Sequence, residues 1–157
     1  MIDFGEDDLN LLQRYHLLNQ DGKKEVVEYL RYLLSKQWRS EMHAQVFGNP
    51  LIFNLLSQAR RMCERDDCSL ADIDAKVGQA KYLYYQAVER VNTKFELLLQ
   101  DAGAEFYVQD WGVGGFSEIA DAGSTGSRER VSEQIEEMLH GYRRLAKKGD
   151  RRIIVAV

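Results

Sequence analysis

The sequence predicts a mainly α-helical fold, a helical bundle built around one long central helix with a small two-stranded β element. Three observations predict it. Apolar residues recur three and four apart over most of the 157 residues, the spacing that lines one face of an α-helix. A single proline, Pro50, interrupts the chain, so long helices can run unbroken. Two short runs rich in β-branched and aromatic residues, 105–111 and 151–157, read better as strands.

The first helix spans about 6–19. Leu9, Leu12, Tyr15 or His16, and Leu18 line one side, and Glu6, Asp7 and Asp8 occupy the first turn, where carboxylates suit the positive end of the helix dipole. Asn19-Gln20-Asp21-Gly22 reads as a tight turn. The second helix starts near Lys23 and runs to about Phe47. Val26, Leu30, Leu33 and Gln37 form its stripe, widened by Val27, Leu34 and Trp38. Gly48-Asn49-Pro50 stops it, and Asn49 with Pro50 opens the third helix. Leu51, Ile52, Leu55, Leu56, Ala59, Met62 and Cys63 give that helix its apolar face.

Ser69-Leu70-Ala71-Asp72 resembles a capping box and opens the central helix. Leu70, Ile73, Val77, Ala80, Tyr84, Ala87 and Val91 step by threes and fours as a heptad seam, which Lys94 interrupts and Leu98 resumes. A rod over 70–100 would be roughly 45 Å long, so part of the seam is expected to pack on a partner chain or a long neighbour. Gly78 within it costs about 1 kcal/mol relative to Ala, and a close helix crossing there would explain it. Residues 102–126 hold half of the twelve glycines and read as a flexible segment, with a strand over 105–111 and one helical turn over 116–120. The fifth helix, capped by Ser127, carries Val131, Ile135, Met138, Tyr142 and Leu145 and ends at Gly149-Asp150. A terminal strand over 151–157 would pair with the earlier one, because a lone strand leaves its backbone groups unsatisfied.

The chain reads as a single domain, 1–157, with no internal repeat. Its 45% hydrophobic and 29% charged residues place it among globular chains and away from disordered ones. A net charge of −4 argues against wholesale wrapping of nucleic acid. No apolar run reaches the length of a membrane span. The acidic start (Asp3, Glu6, Asp7, Asp8) does not suit a signal peptide. Two cysteines, Cys63 and Cys68, then fit reduced thiols in the cytoplasm.

Leu11-Leu12-Gln13-Arg14-Tyr15-His16-Leu17-Leu18-Asn19-Gln20-Asp21-Gly22-Lys23, followed by Val26, Val27, Leu30, Leu33 and Leu34, resembles a known pattern. It is similar to the helical hairpin that follows the DNA-binding domain in bacterial and phage regulators of the xenobiotic-response-element helix-turn-helix type. The resemblance covers about a sixth of the chain. It implies an oligomerisation element. In that family a DNA-binding domain precedes the hairpin, whereas this sequence opens on the hairpin. The resemblance therefore implies a regulator-associated interaction module, not a direct DNA reader.

No motif fixes a reaction, a metal or a cofactor. Cys63-x4-Cys68 supplies half of a zinc ligand set, and His16, His43 and His140 sit at no finger-like spacing. Glu137-x-x-His140 has the di-iron spacing but lacks the second copy that such a site needs, and Glu41 and His43 are spaced wrongly. Gly112-Val113-Gly114-Gly115 and Ser124-Thr125-Gly126-Ser127 could face an anion, but neither carries a phosphate-loop lysine. Arg143, Arg144, Lys147 and Lys148, with Arg151 and Arg152, could meet an anionic partner; they equally suit the negative end of a helix dipole. Direct nucleic-acid contact is not favoured, because only Tyr142 interleaves with them.

Two readings stand. The first is a non-enzymatic interaction or regulatory protein, a homodimer or the partner of another protein, associated with transcription regulation. Its interface would be the seam Leu70, Ile73, Val77, Ala80, Tyr84, Ala87 and Val91. The second is a small-molecule-binding protein or enzyme with a pocket under 102–126, lined by Tyr84, Trp111 and Phe116. Neither requires a cofactor or a membrane.

Overall fold

The structure, a computed structural model, describes residues 3–99 and 107–155. The chain divides into two compact units, Met1–Gln37 and Trp38–Val157.

The first unit holds α1 (Glu6–His16) and the start of α2 (Gln20–Phe47). The Asp8 carboxylate accepts a hydrogen bond from the Gly5 N–H at 2.8 Å and closes the first turn of α1. Asn19 Oδ1 accepts from Gly22 N–H at 2.8 Å and caps α2. Gly22 is thus the third residue of α2, not the end of a turn. Only Leu17, Leu18 and Asn19 separate the two helices.

The second unit begins with the last turns of α2. It continues through α3 (Leu51–Cys63), α4 (Leu70–Lys94), the short α5 (Glu96–Leu99) and α6 (Tyr107–Gln109). A π turn (Asp110–Gly114) leads into α7 (Gly115–Ser124), and α8 (Arg128–Val155) follows. α3 packs between α4 and α8, while α7 packs on α8 and touches α4. Trp38, Met42, Leu56, Ile73, Tyr84, Val108, Ile135 and Leu139 are among the side chains of one continuous core. Buried aliphatic and aromatic side chains of this size contribute about 1.5–3 kcal/mol each.

The polar ends of the large aromatics are satisfied within that core. Trp38 Nε1 donates to Asn92 Oδ1 at 3.1 Å and Trp111 Nε1 to Met138 O at 3.0 Å. The Tyr84 hydroxyl donates to Val108 O at 3.1 Å. The Tyr142 hydroxyl lies 3.1 Å from both Phe47 O and Asn49 O, which anchors the α2–α3 corner to α8. Arg60 of α3 pairs with Glu64 at 2.8 Å and reaches Glu136 of α8. Arg128 donates to Arg65 O at 2.6 Å and to Cys68 O, holding the α3–α4 loop.

The expected β element is absent among the described residues. Residues 107–114, read as strand and turn, are helical, and so are 151–155; 105, 106, 156 and 157 lie outside the described residues. The physical reason is periodicity. Val108, Trp111, Gly112, Gly115, Phe116, Ile119 and Ala122 step by threes and fours once glycine counts as part of an inward face. Gly112 must be small: a Cβ there would sit 2.0 Å from Tyr84 Cζ. Of the segment expected to be flexible, the described part runs from 107 to 126, with 107–124 helical and 125–126 a turn.

The central helix is also shorter than 70–100. Its capping box forms, with Ser69 Oγ accepting from Asp72 N–H at 3.1 Å and the Asp72 carboxylate from Ser69 N–H at 2.9 Å. It ends where Phe95 leaves helical geometry (φ −107°, ψ 24°) while its ring stays buried.

Candidate interaction surface

The heptad seam is used up inside the chain. Ile73, Val77, Ala80, Tyr84, Ala87 and Val91 are buried and Leu70 is half-buried, on the face where α4 meets α3 and α7. Among the described residues Gly78 is on no close crossing, with nothing within 4 Å of where its Cβ would be.

Tyr84, Trp111 and Phe116 do come together. Their ring centroids are 5.9 Å (Tyr84–Trp111), 5.7 Å (Tyr84–Phe116) and 6.4 Å (Trp111–Phe116) apart. They fill space instead of lining it, with Tyr84 and Phe116 buried and Trp111 half-buried. A groove of about 360 Å³ lies elsewhere, between α4, α7 and the start of α8. Leu70, Ile73, Asp74, Val77, Ile119 and Gly123 contribute to its lining, and none of the three aromatics does.

Arg143, Arg144, Lys147 and Lys148 of α8 are exposed, while the side chains of Arg151 and Arg152 lie outside the described residues. Arg143 lies over the Phe53 ring, 5.3 Å from its centroid, and Arg144, Lys147 and Lys148 face solvent. Glu137 and His140 are exposed, while Glu41 pairs with Lys94 at 2.7 Å and the His43 ring meets Leu145 O at 2.8 Å. Cys63 is buried with its thiol on Ala59 O, and Cys68 is a half-buried free thiol. Among the described residues no cluster of three or more His, Cys, Asp or Glu could hold a metal ion. No helix among them is long and apolar enough to cross a membrane.

Among the described residues, the electrostatic shifts run away from neutral pH. Burial pushes the Tyr84 phenol far above its usual range, with Tyr85 and Asp110 adding to the shift. Burial also raises the Tyr142 phenol and the Cys63 thiol. Hydrogen bonding from Arg65 lowers Asp67, and hydrogen bonding from Ser69 lowers Asp72. Each shift moves the group away from neutral pH, whereas an acid or base catalyst is tuned towards it.

What stands out is the first unit. No described residue before Trp38 is buried. Yet α1 and α2 carry leucine at helical spacing, with Leu9, Leu30 and Leu33 still 51%, 45% and 40% exposed. Leu12, Val27 and Leu34 are exposed as well, and the Tyr29 and Tyr32 rings stack 6.3 Å apart on α2. Scattered exposed leucines need no explanation, but a contiguous apolar surface marks an interaction site. The sequence signal was the width of the α2 stripe. Val26, Val27, Leu30, Leu33 and Leu34 form one broad apolar stripe along α2.

Fold and surface together define a helical protein whose second unit has a packed core and whose first unit carries exposed apolar side chains on its helices. No protein-family model, curated protein or solved structure matches the chain.

Proposed function

We propose that the chain is a non-enzymatic interaction protein of regulatory type, acting through helical oligomerisation of the arm formed by residues 6–37. The observation that carries this reading is the apolar stripe of 6–37, none of which its own unit buries. An 11-residue helix such as α1 is marginal in water on its own and gains its stability from packing. The arm therefore favours a docked state. The resemblance to the oligomerisation hairpin of helix-turn-helix regulators supports a role beside transcription control in the cytoplasm.

Position-specific photo-crosslinking in cells tests this. A photoreactive residue in place of Leu30 should give discrete protein adducts, and one in place of Tyr82 on exposed α4 should give few. Equal yields at both positions, or none at Leu30, would sink the reading.

A further inference from the structure

We propose that the stretch of α8 over residues 143–152 binds the phosphate backbone of duplex DNA, in contacts that read no sequence. This surface belongs to the second unit alone and does not depend on the arm.

Residues 143–152 carry six cations and one acid, Asp150, in a chain whose net charge is −4. The cations fall in two columns along one helix: Arg143, Lys147 and Arg151, and beside them Arg144, Lys148 and Arg152. Residues four apart are neighbours on a helix, and like charges there repel. A polyanion laid along the columns, over about 13 Å of helix, turns that repulsion into attraction.

Two ordinary reasons for such a run do not apply. The first is the helix dipole, whose effect is confined to the last turn. α8 continues to Val155, so Arg143, Arg144, Lys147 and Lys148 stand about two to three turns before its end. The second is pairing within the chain. Among the described residues Arg143, Arg144 and Lys147 have no carboxylate partner, and Arg143 rests on the Phe53 ring. Glu41 of α2 is held by Lys94, and Glu136 of α8 by Arg60.

The kind of anion follows from what this face lacks. Tyr142 and Leu145 are buried and Ala146 is half-buried, so over 143–148 charge is what reaches solvent. A helix lying in a membrane surface needs an apolar face to submerge. Residues 142–157 contain no aromatic residue but the buried Tyr142, so unpaired bases find no stacking platform. Residues 143–157 contain no Ser, Thr, Asn or Gln to bond base edges or the 2′-hydroxyls of RNA. What remains is a row of cations, and duplex DNA offers one phosphate per about 1.7 Å of its axis.

Fluorescence anisotropy of the full chain with a labelled DNA duplex of arbitrary sequence, repeated across salt concentrations, tests this. Binding in the micromolar range is expected at low salt, with equal affinity for unrelated sequences. R143Q/R144Q/K147Q should weaken it roughly tenfold or more and lower the slope of log affinity against log salt by about 2–3. R143K/R144K keeps the charge and should bind as the natural chain does. K81Q/R90Q, at exposed positions of α4, should change neither affinity nor slope. All of these side chains are exposed, so the near-ultraviolet signal of Trp111 should stay the same throughout. No binding to the duplex at low salt overturns the proposal. Binding that survives R143Q/R144Q/K147Q, or that K81Q/R90Q weakens as much, overturns it too. Capture by phosphatidylserine vesicles without capture by the duplex assigns the face to a lipid surface and refutes DNA.

Discussion

Gly112 and Gly115 show how single positions set the packing of the π turn and α7. A Cβ on Gly112 would fall 2.0 Å from Tyr84 Cζ, on a buried ring whose hydroxyl is tied to Val108 O. A Cβ on Gly115 would fall 2.6 Å from Met138 Cγ, on a side chain that can change rotamer. Alanine gains helix propensity at either site, about 1 kcal/mol, so the sign depends on what must move. Gly112→Ala should destabilise by about 3 kcal/mol, as overpacking does, and Gly115→Ala by under about 1 kcal/mol. Urea unfolding of both variants checks this, and equal midpoints would contradict it. Tyr84 adds a pH signature. Its phenol ionises near 10.0 when unfolded and well above that when buried. Its contribution is present below pH 10.0. Above that pH the unfolded chain releases a proton that the folded chain keeps, so stability falls as pH rises. Tyr142 shares the direction. Tyr84→Phe should cost about 1 kcal/mol at neutral pH through the lost hydrogen bond, yet give a flatter decline between pH 9 and 11. An unchanged alkaline slope would show that the phenol is not held neutral.

At the scale of elements, helices were legible wherever the apolar side chains themselves carry the period. α2, α3 and α4 begin within a few residues of where Lys23, Leu51 and Leu70 place them, and Ser69 and Asp72 cap α4 as their spacing indicates. Two elements were misread for one reason. The inward positions of 108–122 include Gly112 and Gly115, and Gly149 precedes 151–155; glycine normally signals a break. Here Gly112 is the contact surface for Tyr84, a role that only a distant residue reveals. The seam of α4 was legible as a buried face, but not the identity of what buries it, because a heptad pattern specifies a greasy neighbour without saying which chain supplies it. Gly78 is the converse. It sits exposed in the middle of α4 with nothing within 4 Å of its missing Cβ. Gly78→Ala should therefore stabilise the protein by about 0.5–1 kcal/mol, measured by denaturant unfolding of the isolated chain. A loss in place of that gain would mean that something approaches Gly78 closely.

For the whole molecule, the contrast between the two units sets how it should come apart. The second unit owns the buried core, from Trp38 to Leu145, with its tryptophan and tyrosine bonds. The first owns no buried residue among those described, so its helices lack the tertiary burial that normally outweighs the entropy of ordering a backbone. A chain built this way should not unfold as one cooperative block. In dilute solution, below the concentration at which arms meet, far-ultraviolet circular dichroism should lose part of its helical signal early in a urea titration. The near-ultraviolet signal of Trp111, Tyr84 and Tyr142 should hold until a later, steeper transition. Raising the protein concentration should move the early transition towards the late one, since association stabilises only the docked state, and should leave the late one in place. Coincident transitions at every concentration would mean that the arm draws its stability from the rest of its own chain. The apolar surface of α1 and α2 would then need no second molecule.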